Sequence, residues 1–250
     1  MTGSLIVAPR FCGPPDRGNG GYVCGLIAGF LDGPAEVTLR RPAPLERSLA
    51  VERGGQGSAR VLDGPNLIAE ATALPGSRHL QLPDPVSVQQ ARAAGARAPL
   101  RIHPELHPYP ACFVCGPDRR PGDGLRICVG PVPGTALSAD VWCPGEELTD
   151  ANGQVRPEFI WAALDCPGVI GALRDAALDD TRCVLGRLAA RQLGPVKGGE
   201  PLVVAGWLLA AQGRKILAGS ALFTASGQPV AAAQATWIRL RRDAVPGEIS

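Results

Sequence analysis

Alternating apolar and polar positions predict short strands in the first third of the chain. The candidates are separated by Gly-rich or Pro-rich turns and cover residues 36–40, 48–52, 58–62 and 67–73. Ahead of them, residues 22–31 are apolar all round, which is typical of a helix that is buried on every side. Asn19-Gly20-Gly21 precedes this run and predicts where the helix begins.

The same order returns later in the chain. Strands are predicted at 125–129 and 136–142, followed by a helix over 157–177, which Pro157 suits as a first helical position. Pro167-Gly168 is expected to kink or interrupt this helix. Four longer strands complete this part, at 183–192, 202–211, 215–224 and 229–240. Each part is therefore a buried helix followed by a meander of strands.

Between the two parts, residues 81–111 show no regular period. Repeated prolines in this segment prevent regular strand pairing, so it is predicted to be a linker. The sequence therefore predicts an N-terminal domain over 1–80, a Pro-rich linker over 81–111 and a C-terminal domain over 112–250. Both domains belong to the α+β class.

Composition and charge narrow the choice of partners. The net charge is +2 and the basic residues are scattered through the 250 residues, so no nucleic-acid-binding surface is predicted. The longest apolar stretches, such as 203–211, are shorter than the roughly 20 residues of a membrane helix, and no secretion signal is recognised. We expect a cytoplasmic protein without membrane contact that binds small molecules. Most of the eight cysteines are predicted to be reduced, because the chain is large enough to fold without disulfides.

Two short motifs resemble sequences of a known superfamily. Cys112-Phe113-Val114-Cys115-Gly116, followed by Gly124-Leu125-Arg126, resembles a leader before the first strand of hotdog thioesterases. Nearly all of the chain outside 81–111 is similar to double-hotdog acyl-CoA thioesterases of the acyl-CoA thioesterase II type, including Arg41-Pro42-Ala43-Pro44-Leu45. The resemblance implies two antiparallel sheets that each wrap a central buried helix and pack as a pseudo-dimer. It also implies an acyl-CoA or acyl-carrier thioester as partner, no cofactor, and a monomer or homodimer.

The resemblance places a candidate site between the two halves. In related single-domain thioesterases, His-Gly-Gly or Asn-Gly-Gly opens the central helix, and a carboxylate nine residues after its first member acts on the neighbouring subunit's substrate. Asn19-Gly20-Gly21 matches the opening, but nine residues onward lies Ala28, which cannot act as a base. In the second half, Asp165 lies nine residues after Arg156, where Pro157 has no N–H to donate. We therefore predict one composite site, in which N–H groups of Gly20 and Gly21 face Asp165.

Two further positions complete the acyl-CoA thioesterase II pattern. There, an Asp in this helix works with a Gln on the last strand and a Thr on the strand after the helix. Gln234 matches the Gln and would orient the attacking water. The Thr position falls near Leu185 or Gly186, and neither carries a hydroxyl. Either Thr181 substitutes, or hydrolysis is weak, or the site serves another acyl-thioester reaction.

Each candidate also has a purely structural interpretation. Asp165 can be a paired carboxylate in an apolar run, Gln234 a satisfied polar residue of a strand, and Asn19-Gly20-Gly21 a helix cap. Glu158 suits the positive end of its helix dipole, with a catalytic role as the alternative. No histidine lies near Cys166 in the sequence, so a nucleophilic role for this thiol is not favoured.

Four residues at the end of the linker are of types that bind zinc. They are His103, His107, Cys112 and Cys115. Their spacing is looser than that of paired Cys-x-x-Cys motifs. A structural zinc site and a turn with two packed thiols are therefore both open interpretations.

Three functions stay open at this point. The first is hydrolysis of an acyl thioester with Asp165 as base or nucleophile. A non-catalytic acyl-thioester binding or scaffold protein would explain the missing hydroxyl and the replaced donor motif. A hotdog dehydratase would use a histidine with the helix carboxylate, but His79, His103 and His107 all fall in or beside the linker.

Overall fold

The computed structural model describes residues 2–55, 57–75, 80–175 and 182–240. The strands of these ranges are β1 Thr2–Leu5, β2 Ala35–Leu39, β3 Leu49–Gly54, β4 Ser58–Asp63, β5 Asn66–Ala73, β6 Gly130–Pro131, β7 Ser138–Trp142, β8 Cys183–Gln192, β9 Leu202–Gln212, β10 Lys215–Thr224 and β11 Pro229–Arg239. They form one antiparallel sheet in the order β1-β3-β4-β5-β2-β8-β11-β10-β9-β7-β6. The predicted α+β class is confirmed, and the four strands predicted in 36–73 are present within two residues at each end.

The α-helices of the described ranges are α1 Gly20–Ala28, α2 Val88–Ala96, α3 Pro99–Ile102, α4 Pro157–Ala163 and α5 Cys166–Ala172. Asn19 caps α1, because its Oδ1 accepts the backbone N–H of Tyr22 at 2.9 Å. Pro157 begins α4, as the sequence predicts. Within the described residues, no helix combines the length and the apolar character that a membrane crossing requires.

One strand pair and one helix pair join the two parts of the chain. Strand β2 pairs with β8, with Ala35 opposite Ala190, so the sheet continues from one part into the other. Helix α1 packs on α4, and Gly25 of α1 lies directly against Glu158 and Trp161. Both helices and one face of the sheet share a single apolar core. This packing brings the beginning of α1 close to the end of α4.

Residues 125–129 do not form the predicted strand. The N–H groups of Leu125 and Ile127 do bond to the carbonyls of Phe113 and Val114, as in an extended chain. Arg126 lies between them with a φ of 56°, in the left-handed region that a strand does not contain. The ladder is therefore interrupted, and the first strand after the linker is the short β6.

The helix predicted over 157–177 is divided into α4 and α5. The break falls at Asp165, whose ψ of −89° lies outside the helical range. Pro167 accounts for the position, because it has no N–H to bond the carbonyl four residues earlier. The predicted interruption is confirmed, two residues ahead of the proline. Helix α5 ends at Ala172, and residues 176 and 177 lie outside the described ranges.

The predicted linker is an ordered segment that packs on the second part of the chain. Ser87 and Gln90 form a capping box at the beginning of α2. Helix α2 packs against β7, on the face of the sheet opposite to α1. Arg101 forms an ion pair of 2.7 Å with Asp140, a carboxyl whose pKa is raised by burial. The domain boundaries at 80 and 112 stay a prediction.

Candidate active site

Asp165 lies where the end of α4 meets the beginning of α1. Its Oδ2 accepts the backbone N–H of Gly21 at 2.8 Å and the side-chain N–H of Asn19 at 3.0 Å. These donors are 144 and 146 residues away in sequence. The structure therefore brings together a carboxylate from one part of the chain and a helix N-terminus from the other.

Glycine is required at the contact between α1 and Asp165. A Cβ on Gly21 would collide with the side chain of Asp165 and, at 2.7 Å, with the carbonyl oxygen of Trp161. A Cβ on Gly20 would lie 2.8 Å from the side chain of Leu185. The N–H of Gly20 has no hydrogen-bond partner among the described residues. Asp165 thus accepts the N–H of Gly21 at the helix N-terminus, and the N–H of Gly20 is available to a ligand.

Asp165 is 1% exposed. Burial raises its pKa to about 7, although the N–H groups of Gly21 and Asn19 stabilise the charged form. Its second oxygen, Oδ1, is buried and has no hydrogen-bond partner in the described part of the chain. An oxygen in this position can accept a proton or attack a carbonyl, and a strongly shifted pKa is typical of functional sites.

A largely apolar cavity adjoins Asp165, which we call the site cavity. Its wall also contains Asn19, Gly20, Val23, Leu39, Cys112, Leu185, Trp237 and Leu240. Arg17 and Arg41 line the same cavity. Within the described residues, neither arginine forms a salt bridge. The site cavity is therefore lined by a carboxyl group, by apolar side chains and by two guanidinium groups that lack carboxylate partners in the described ranges.

Three buried thiols lie beside Asp165. The sulfur atoms of Cys112, Cys115 and Cys166, here called the thiol cluster, lie within 4.8 Å of one another. Hydrogen bonds from the thiols of Cys115 and Cys166 hold the pKa of Cys112 well below its ordinary value. Sequence reasoning gave Cys166 no role, although the Cys-x-x-Cys spacing of the other two members was visible.

The structure does not bring Gln234 to Asp165. Its neighbours Ala233 and Ala235 on β11 belong to the core shared with α1 and α4. Because side chains alternate along a strand, Gln234 points to the opposite face of the sheet. There it lines a separate cavity with Leu80 and Leu82. The prediction that Gln234 orients a water at Asp165 is therefore corrected.

Glu158 is also separate from the site cavity. It lies in the first turn of α4, and its carboxylate is 3.5 Å from the guanidinium of Arg156. The same guanidinium stacks over Phe159 at 4.6 Å. A carboxylate at the beginning of a helix complements the helix dipole. The described residues that line the site cavity do not include Glu158, so the structural interpretation of this residue fits its place.

The described residues of the wall include no threonine or serine, but Tyr109 contributes a buried hydroxyl that has no hydrogen-bond partner in the described part of the chain. Leu185 lines the cavity, Gly186 carries no side chain, and Thr181 lies outside the described ranges. From the last strand, Trp237 lines the cavity instead of Gln234. Positions 233, 235 and 237 of β11 share the face of the sheet that faces the core.

The four predicted zinc ligands do not assemble as a set. His107 lines a second cavity together with the thiol cluster, and it is 6% exposed. Its Nδ1 accepts the N–H of Tyr109 at 3.1 Å, whereas its Nε2 is buried without a partner among the described residues. His103 is exposed and lies 3.4 Å from Glu105. His79 lies outside the described ranges.

Comparison with known proteins identifies the fold. No protein-family model and no curated protein matches the chain. The acyl-CoA thioesterase II TesB2 of Mycobacterium marinum aligns with a TM-score of 0.60 and 14% identity, over 97% of this chain and 94% of its own. A Novosphingobium aromaticivorans protein provisionally assigned as a thioesterase gives 0.60 and 12%, over 96% of both chains. A TesB protein of Mycobacterium avium subspecies paratuberculosis gives 0.56 and 11%, over 96% and 92%. At these identities the likeness shows the hotdog fold alone.

Proposed function

We propose that the chain is a double hotdog, with halves 1–80 and 112–250 joined by 81–111, that hydrolyses an acyl-CoA or related acyl thioester. One observation carries the proposal: Asp165 of the second half meets the N-terminus of α1 from the first half in the wall of an apolar cavity. Thioester hydrolysis needs a group that activates water, N–H donors for the oxyanion and a pocket that excludes bulk water. The thioesterase names of structures with the same fold support this class.

Asp165 would act through its unpartnered oxygen. As a base, Oδ1 takes a proton from water while the water oxygen attacks the thioester carbonyl carbon. The oxyanion of the tetrahedral intermediate accepts the free N–H of Gly20. The carbon–sulfur bond then breaks, and Asp165 returns the proton to the leaving thiolate. One water is consumed, and one carboxylic acid and one thiol are released.

Thiol release from a short-to-long acyl-CoA panel tests the proposal directly. We expect turnover that saturates with at least one member of the panel and that increases linearly with protein concentration. A parallel titration by calorimetry measures binding of the same compounds. If no compound is hydrolysed and none binds, the proposed function is wrong.

A non-catalytic acyl-thioester binding protein is the second candidate. The observation in its favour is that Asp165 already occupies the N–H of Gly21, which leaves fewer donors for an oxyanion. The absence of a hydroxyl at Leu185 and Gly186 agrees with it. Saturable binding of acyl-CoA without any thiol release would select this candidate.

The two arginines of the site cavity give a prediction about the carrier. Coenzyme A carries phosphates, which guanidinium groups bind through charge-assisted hydrogen bonds. We expect the double variant Arg17→Ala/Arg41→Ala to raise KM for acyl-CoA roughly tenfold, about 1.4 kcal/mol, with kcat nearly unchanged. Steady-state kinetics at low ionic strength measures both constants.

Acyl-N-acetylcysteamine is the matched control substrate, because it keeps the thioester and lacks the phosphates. Its KM is expected to be the same in wild type and double variant. Raising the salt concentration should reduce the difference for acyl-CoA, since exposed charges are screened. An equal rise of KM for both substrates would show that the arginines do not recognise phosphate.

A further inference from the structure

The thiol cluster has the geometry of a metal site. Zinc binds thiolate sulfur at about 2.3 Å, so two sulfurs of a tetrahedral site lie roughly 3.8 Å apart. The sulfurs of Cys112 and Cys166 are 3.7 Å apart, and all three sulfurs lie within 4.8 Å of one another. The three side chains are buried, so a bound ion would be shielded from water. The three sulfurs therefore already lie close to the positions that they would occupy around a zinc ion.

Cys112 lies in a tight turn, and a side-chain donor approaches its sulfur. The turn is closed by the bond from the Gly116 N–H to the Cys112 carbonyl at 2.9 Å. The side-chain amide of Asn19 approaches the same sulfur at 3.8 Å. An N–H donor directed at a sulfur stabilises negative charge on it. A Cys-x-x-Cys-Gly turn of this kind presents both of its sulfurs to the same side.

A second, independent observation points to a ligand. His107 lines the same cavity as the thiol cluster, is 94% buried, and has an Nε2 without a partner among the described residues. Its Nδ1 accepts the N–H of Tyr109, which leaves Nε2 as the atom that faces other groups. A buried nitrogen without a partner costs free energy unless a ligand or water satisfies it. Zinc sites of three cysteines and one histidine use such an atom.

We propose that Cys112, Cys115 and Cys166 bind a structural zinc ion and that His107 completes the site through Nε2. His107 is not among the residues whose ligand atoms lie within 4.8 Å of one another, so its ring would have to approach the sulfurs to coordinate the ion. The ion would tie the turn at 112–116 to the break between α4 and α5. The predicted ligand set changes accordingly, with Cys166 replacing His103.

The test is metal analysis of protein purified under reducing conditions without chelator. Inductively coupled plasma mass spectrometry should find about one zinc per chain in the wild type and less than a fifth of that in Cys115→Ala and Cys166→Ala. Cys24→Ala is the matched control, because Cys24 is equally buried but outside the thiol cluster. It should retain the full zinc content. Removal of zinc should lower Tm by roughly 5–10 °C.

A spectroscopic measurement on the intact protein covers the case in which the variants fail to fold. Cobalt(II) exchanged into the wild type should give thiolate charge-transfer bands and the intense visible bands of tetrahedral coordination. His107→Gln should alter the visible bands while the charge-transfer bands remain. Wild type that takes up neither metal, or that contains a disulfide within the thiol cluster, would overturn the proposal. An unchanged spectrum in His107→Gln would remove the histidine from it.

Discussion

Asp165→Asn is expected to lower kcat/KM for acyl-CoA hydrolysis roughly 10²–10⁴-fold, the range that a positioned acid–base group contributes. The asparagine oxygen can still accept the N–H groups of Gly21 and Asn19. The side-chain amide then occupies the place of Oδ1 but cannot accept a proton. The free energy of unfolding should therefore change by less than about 1 kcal/mol. Thiol-release kinetics and urea unfolding measure the two quantities.

Gln234→Ala is the matched control for this prediction. Gln234 stands on β11 within the same sheet but points to the face away from α1 and α4. The variant should hydrolyse acyl-CoA like the wild type. A folded Asp165→Asn protein with full turnover would reject Asp165 as the reacting group. Loss of turnover in Gln234→Ala would instead contradict the placement of Gln234.

The same residue can act as base or as nucleophile, and isotope labelling identifies a nucleophile whose aspartyl carbon is attacked by water. A nucleophilic Asp165 forms a mixed anhydride with the acyl group, and water then attacks one of its carbonyl carbons. Turnover in ¹⁸O-labelled water places label in the Asp165 carboxyl group if water attacks the aspartyl carbon. A general base, or a mixed anhydride attacked at the acyl carbon, leaves the aspartate unlabelled and the acid product labelled. Peptide mass spectrometry after many turnovers reads the difference.

The strands were predictable because their pattern is local. Alternation and glycine turns predict strands at 58–62 and 67–73, and the bounds of β4 and β5 differ from these by one residue at most. The direction in which Gln234 points was not readable, because alanine stands on both sides of it in 231–235. With small apolar residues on both faces, the sequence contains no contrast that marks the buried one.

The candidate site was predictable only in part. An Asp in an apolar run and an Asn-Gly-Gly before a helix are visible signals, and the structure places Asp165 against Asn19 and Gly21. Cys166 was missed because its two thiol partners lie about 50 residues earlier and meet it through packing. The positive φ of Arg126 was missed for another reason, since nothing in its own side chain favours that conformation.

Gly25→Ala is expected to destabilise the protein by about 3 kcal/mol, which for a chain of this size lowers Tm by roughly 6–12 °C. A Cβ at this position would lie 2.6 Å from Cα of Glu158 and 2.9 Å from Cβ of Trp161. The first of these atoms belongs to the backbone and cannot rotate away. Helices α1 and α4 must then separate along the contact between the two halves. Urea unfolding followed by circular dichroism measures the loss.

Gly29→Ala, directly after the end of the same helix, provides the comparison. Gly29 follows the last residue of α1 with a φ of −61°, which alanine adopts without strain, and the nearest atom to an added Cβ is the Leu26 carbonyl oxygen at 3.3 Å. Its unfolding free energy should change by less than about 1 kcal/mol, since the reduced freedom of the unfolded chain offsets the close contact. Equal losses in both variants would mean that the cost arises from replacing glycine as such. A loss confined to Gly25→Ala would assign it to the α1–α4 contact, the same contact that holds Asp165 against Gly21.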